Sequence, residues 1–256
     1  MKKNKVIIYF LLVVLIGACN PPPPKEKKLS VKHNYIILVD LSDRLIVQKE
    51  QPHRDKEIIK YIYNLFEQKV KKDLYIKSRD EIKVVIAPQK GSDLDIERFE
   101  DSLYVNMGEI QHVYRRPQEE ARRNRFLTGL DELYKRAQFS KIPHEYYGAD
   151  IWKYVYEDLK TDYSKDTLTK NFLFILTDGY PIVGKDLAKL KPVNKEFPNL
   201  QIILLEASPR DKDMEWDRVM ALWTDWFESM EIEDYTFIKR RALQKVEGQI
   251  KEIISE

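Results

Sequence analysis

Four short apolar runs, Asn34 to Leu41, Glu81 to Pro88, Asn171 to Asp178 and Leu200 to Ala207, constrain the fold more than any other feature of the chain. Each is rich in Ile, Val, Leu or Phe and bounded by polar residues, as expected for strands buried on both faces. Elsewhere apolar residues recur at spacings of three and four: Ile58/Ile62/Leu65/Phe66, Phe126/Leu130/Leu133/Ala137, Trp152/Val155/Leu159 and Leu243/Val246/Ile250/Ile253. Such spacing draws a stripe along a helix. Strands and helices in alternation require right-handed crossovers, so the expected fold is α/β: a doubly wound, mostly parallel sheet with helices on both faces. Residues 89 to 118 interrupt the rhythm. They are polar, carry only a weak strand candidate at Ser102 to Asn106, and read as an edge strand with loops or as an insertion.

The amino-terminal segment belongs to a different class. Met1 to Lys5 is basic, Val6 to Ile16 is apolar without interruption, and Gly17, Ala18 and Cys19 are small. Eleven apolar residues fall well short of the ~20 that span a bilayer as a helix, which makes 1–18 a signal peptide. Leu15-Ile16-Gly17-Ala18-Cys19 resembles the bacterial lipobox, which implies cleavage before Cys19 and lipid on that residue. Residues 19–33 follow as a Pro- and Lys-rich tether, Asn20-Pro-Pro-Pro-Pro included, with a polyproline reach of up to about 40 Å. The remainder, 34–256, is long enough for one domain with a large core. The expected location is the cell envelope, lipid-anchored, facing the periplasm or on the outer membrane; Asn20 is not the aspartate that resembles an inner-membrane retention signal. Loss of Lys2, Lys3 and Lys5 leaves 41 basic against 42 acidic residues, so a nucleic-acid partner is not indicated. Cys19 is the single cysteine, so the domain has neither a disulfide nor a free thiol.

Two of the four runs end in aspartate, in Val39-Asp40-Leu41-Ser42-Asp43-Arg44 and in Leu176-Thr177-Asp178-Gly179. In an open parallel sheet, ligands bind beyond the carboxyl ends of the central strands. If these strands are neighbours, Asp40 and Asp178 face one small volume and require a cation, a proton or an arginine between them. The bland alternative is that each aspartate caps a helix or ties down a loop.

Here the chain resembles the von Willebrand factor type A domain, a Rossmann-like fold that opens on an apolar strand ending Asp-x-Ser-x-Ser and has a later strand ending Thr-Asp-Gly. The resemblance runs from about residue 34 to 254. It implies protein binding through a metal-ion-dependent adhesion site, usually holding Mg²⁺, whose coordination an acidic partner residue completes. By position Asp40, Ser42 and Asp178 match, whereas Arg44 replaces the second serine. The second-loop threonine is not evident, and Asp150, in Gly148-Ala149-Asp150, stands either as a substitute oxygen ligand or as a carboxylate in the first turn of a helix. A guanidinium about 4 Å from a divalent ion would cost roughly 8 kcal/mol at an effective dielectric of 20. Either Arg44 forks onto Asp178 or Asp40 in place of the metal, or it swings out and a weak Mg²⁺ or Mn²⁺ site survives on Asp40, Ser42 and Asp178.

Met214 to Met230 places Trp216, Val219, Met220, Trp223, Phe227 and Met230 on one helical face, which reads as core. Arg115, Arg116, Arg122, Arg123 and Arg125 read as a solvated helix start with local ion pairs. Tyr146, Tyr147, Tyr154 and Tyr156 read as edge packing, and the four histidines lack the spacing of zinc ligands. No Gly-x-Ser-x-Gly, phosphate loop or His-Glu-x-x-His occurs, so no catalytic residue is assigned and the chain is not expected to be an enzyme. The expected function is a membrane-anchored module that holds a protein partner at the carboxyl-end face of its sheet. The alternatives are a metal-assisted hydrolase using the strand-end carboxylates and a structural component of an envelope complex.

Overall fold

The computed structural model describes residues 30–42, 44–89, 92, 94, 97–139, 148–180, 196–207 and 212–255. Cys19, the leader and most of the tether lie outside them, as do Asp43, Tyr146 and Tyr147. Strands β1 (Lys32–Val39), β2 (Glu81–Ile86), β3 (Tyr104–Asn106), β4 (Thr169–Leu176), β5 (Leu200–Leu205) and β6 (Asp234–Ile238) form one sheet in the order β3-β2-β1-β4-β5-β6. Every pairing is parallel except the antiparallel edge pair β2 and β3. This is the mostly parallel α/β sheet that the four apolar runs predict.

Helices α1 (Arg44–Val47) and α2 (Gln51–Lys72) follow β1, α3 (Glu97–Glu100) precedes β3, and α4 (His112–Arg115) and α5 (Glu119–Phe139) follow it. Next come α6 (Ile151–Lys153), a π-helical turn (Tyr154–Asp158) and α7 (Leu159–Asp162); α8 (Lys212–Ser229) lies between β5 and β6, and α9 (Leu243–Ser255) closes the fold.

The period-two alternation of β1 divides the interior into two cores. Tyr35, Ile37 and Val39 pack with the stripes of α2, α5 and α9, while Ile36 and Leu38 pack with Ile151, Val155, Leu159 and the aromatic face of α8. Burial on both sides is why β1 reads as a continuous apolar run rather than an alternating one. The α8 stripe is core: Val219, Trp223 and Phe227 are fully buried and Trp226 is nearly so.

Two details differ from the sequence reading and one agrees with it. β1 begins at Lys32, inside the expected tether, because the His33 amide donates to Asp80 Oδ1 at 2.7 Å and the Lys32 amide to the Leu168 carbonyl at 2.9 Å. In residues 89 to 118 the expected edge strand is present as β3, within the candidate Ser102 to Asn106. β6 was not anticipated, since Asp234-Tyr235-Thr236-Phe237-Ile238 is short, lies at the sheet edge and exposes Asp234.

His33 sits against Tyr35 and Phe172 and meets the Tyr35 hydroxyl through Nδ1 at 3.0 Å. Burial first, then Lys69 and Lys170, lowers its pKa from 6.5 to about 4. The folded state therefore prefers the neutral ring, and stability present above pH 6.5 is lost as pH falls toward 4. Between pH 7.5 and pH 4.5 wild type should lose roughly 2–3 kcal/mol more than His33→Phe in urea denaturation. Equal losses would show that this ring does not titrate against folding.

Candidate functional site

β1 and β4 are neighbours, with β2 next to β1 on one side and β5 next to β4 on the other, so the strand order reverses between their carboxyl ends, the kind of switch point at which ligands bind in open parallel sheets. Asp40 extends β1 by one ladder bond, its amide donating to the Leu176 carbonyl at 3.0 Å. Its carboxylate, 2 % exposed as a residue, accepts from the Ser42 amide at 2.9 Å and from the Thr177 hydroxyl at 3.0 Å. The latter bond links the loop after β1 to the loop after β4. Gly179, at φ 110°, turns that second loop back so that its amide donates to Thr177 Oγ1 at 3.2 Å. Trp223 of α8 secures the turn by donating its indole N–H to the Gly179 carbonyl at 2.8 Å. Asp178 is half-buried at the tip and accepts from the Tyr180 amide at 3.2 Å.

Arg44 points inward and is 1 % exposed. Nε donates to the Asp40 carbonyl at 2.8 Å, Nη2 to Asp55 Oδ2 at 2.6 Å and to the Leu176 carbonyl at 3.1 Å, and Nη1 to Asp55 Oδ1 at 3.4 Å. Nε also lies 3.8 Å from Asp40 Oδ2. Burial opposes the charge, but Asp55 first and Asp40 next outweigh it and hold the guanidinium above its ordinary pKa; Asp178 contributes in the same direction. The fork expected onto Asp178 or Asp40 thus goes chiefly to Asp55, a residue of α2.

Asp55 is fully buried and also accepts from Gln51 Nε2 at 2.7 Å and the Tyr134 hydroxyl at 3.1 Å. Burial pushes its carboxyl up against the pull of Arg44 and Gln51. Gln51 reaches on to Glu206 Oε2 at 3.3 Å, and Glu206 takes a two-pronged pair from Arg54 at 2.7 Å on each oxygen. Glu206 follows β5 with φ 64°, a left-handed backbone rare outside glycine and asparagine. One polar network therefore runs beneath the carboxyl ends of β1, β4 and β5. Asp55, Gln51, Tyr134, Arg54 and Glu206 were all missed from sequence, although Gln51, Asp55, Ile58 and Ile62 share one helical stripe. A carboxylate in line with an apolar stripe was the available signal.

No family model, curated protein or solved structure matches the chain. The site therefore rests on its own chemistry.

Asp150 caps a helix: its Oδ1 accepts from the Lys153 amide at 2.8 Å and its amide donates to the Pro88 carbonyl. Burial raises its carboxyl, with the Lys153 bond opposing. Among the described residues, no three or more His, Cys, Asp or Glu side chains are grouped so that they could hold a metal ion. A divalent ion beside Asp40 would meet carboxylate oxygens that already accept from Ser42 and Thr177, with the Arg44 guanidinium 3.8 Å from one of them. As placed, the residues do not fit Mg²⁺ or Mn²⁺.

Two outcomes follow. Arg44→Met leaves Asp55 buried without its cation and should cost about 3–5 kcal/mol in urea denaturation, with Asp55→Asn in the same chain restoring part of the loss. Failure of the second change to restore anything would mean that the two residues are not coupled. Mg²⁺ should leave the melting temperature of wild type unchanged and raise that of folded Arg44→Ser, because only the variant frees the position for a cation. A rise in wild type of equal size would mean that Arg44 leaves the site.

Proposed function

We propose that this chain is a lipid-anchored extracytoplasmic module of von Willebrand factor type A-like fold that holds a protein partner at the carboxyl-end face of its sheet without a metal. The observation carrying the reading is the convergence of Asp40 and Thr177 across the β1/β4 switch point, with Asp178 at the tip and the Arg44 guanidinium where a metal would otherwise supply charge. The strand order and the Asp40, Ser42 and Thr177-Asp178-Gly179 positions support the family likeness. The lipobox-like Leu15 to Cys19 supports the anchor; separately, no helix among the described residues is long and apolar enough to cross a membrane.

The network fixes the loops rather than reaching the partner itself. Asp178, half-exposed, is the group that meets it, and without an intervening metal a partner carboxylate would face Asp178 directly and be repelled. The partner therefore presents a hydrogen-bond donor or a cation. The near-complete burial of Arg44 and Asp55 favours a second reading, in which the network only holds the loops of a structural component in place.

A photo-crosslinker at Ile46, which is 53 % exposed on α1 beside the site, separates the two. Crosslinking in intact cells should give one adduct whose yield persists in chelator and falls by about tenfold in Asp178→Ala, a loss of ~1.4 kcal/mol of affinity. An adduct unchanged in Asp178→Ala overturns the binding reading and leaves the structural one.

A further inference from the structure

The exposed apolar residues are unevenly distributed. Among the described residues eight large hydrophobic side chains are exposed, and six of them, Val31, Leu74, Ile76, Val113, Tyr114 and Leu168, lie at the amino-end face of the sheet, opposite the site. Four form a ridge. Leu74 and Ile76 precede β2, whereas Val113 and Tyr114 follow β3, which runs antiparallel so that its end, Asn106, pairs with Glu81 at the start of β2. Their exposures are 66 %, 62 %, 69 % and 49 %.

The ridge is built, not frayed. Arg115, 4 % exposed, donates through Nη1 to the carbonyls of Tyr75, Ile76 and Ser78 at 2.9, 2.8 and 3.0 Å, and through Nε to that of Ile110 at 2.8 Å. It thereby binds α4 to the loop after α2, in which Leu74 and Tyr75 take left-handed backbone at φ 55° and 57°. Both segments hold their apolar side chains out in water. Lys71, Lys72, Lys77 and Arg116 stand exposed around them and outnumber the exposed Glu109 and Glu120, with Lys71 paired to Glu119. At the β6 end of the same face a cavity of about 620 Å³ is lined by Glu231, Glu233 and Asp234 with Lys170 and apolar Val31 and Ile232, so the basic excess lies at the β3 end.

The chain toward Cys19 leaves from this face. The Ser30 carbonyl accepts from Arg79 at 3.3 Å, close to the ridge, and the eleven residues back to Cys19 reach at most ~35 Å as polyproline.

We propose that the basic, apolar half of the amino-end face, with Leu74, Ile76, Val113 and Tyr114 at its centre, rests on the anionic bilayer that carries the lipid on Cys19. The partner site on the opposite face then points away from the membrane. Apolar side chains within a basic rim are the chemistry of an interfacial contact, in which apolar burial adds to attraction by acidic headgroups. The inference rests on the lipid-anchored reading.

The test uses protein purified from membranes and reconstituted in phosphatidylethanolamine/phosphatidylglycerol vesicles with brominated acyl chains. A thiol-reactive fluorophore is placed on Val113→Cys or on Ile46→Cys, both exposed positions. Bromolipid should quench the Val113 label at least about threefold more than the Ile46 label, as for side chains 5–10 Å into the interface. Leu74→Asp/Ile76→Asp should remove the difference. Equal quenching at the two positions, or none at Val113, overturns the proposal. The parent protein without an added cysteine tests the anchor separately, since uptake of dye by Cys19 would show a free thiol and sink the lipid-anchor reading alone.

Discussion

The Arg44 guanidinium is buried at the end of the central strand, where a bare charge would be strongly disfavoured. Its stability there comes from two sources at once. Asp55 supplies a counter-charge from α2, and the carbonyls of Asp40 and Leu176 supply acceptors from the ends of β1 and β4. The same side chain therefore sets the docking of α2, the separation of the two strand ends and the electrostatics of the crevice. Gln51, Tyr134, Glu206 and Arg54 complete the donors and acceptors around it, so removing any member strands a buried polar group.

The division of labour between the two faces of the sheet follows from this arrangement. On one face Asp55 and Gln51 interrupt an otherwise apolar packing of α2 and tie it to the strand ends. On the other, Trp223 belongs to an apolar core and contributes one polar contact, to the Gly179 carbonyl. The loop carrying Asp178 is thus held from one side by Thr177 on Asp40 and from the other by α8. Rigid support of this kind is what the proposed partner site would need, because ordering the loop on binding would cost conformational entropy.

The two ends of the sheet differ in chemistry as well as in position. The carboxyl end gathers buried carboxylates and arginines around one half-exposed aspartate, whereas the amino end exposes aliphatic and tyrosyl side chains among lysines. Arginines hold both ends together, Arg44 by charge pairing and Arg115 by backbone carbonyls.

Much of the fold was legible in the residues. Continuous apolar runs are the mark of strands covered on both faces, and β1, β2, β4 and β5 all carry one; β6 carries none because an edge strand needs only one covered face. The site was legible only in part. Asp40, Ser42, Arg44, Thr177 and Asp178 stand out because strand ends and short motifs are local patterns. Which carboxylate takes Arg44 was not, since Asp40, Asp178 and Asp55 are equivalent to a reader of spacing alone. Only the packing of α2 against β1 brings Asp55 to 2.6 Å from the guanidinium, and only the parallel register of β1 with β4 brings the Thr177 hydroxyl to 3.0 Å from Asp40. Local sequence determined the elements and the ionisable groups; the pairing among those groups depended on contacts between separate elements, from Arg44 with Asp55 eleven positions on to Asp40 with Thr177 beyond the neighbouring strand, which only the tertiary structure could decide.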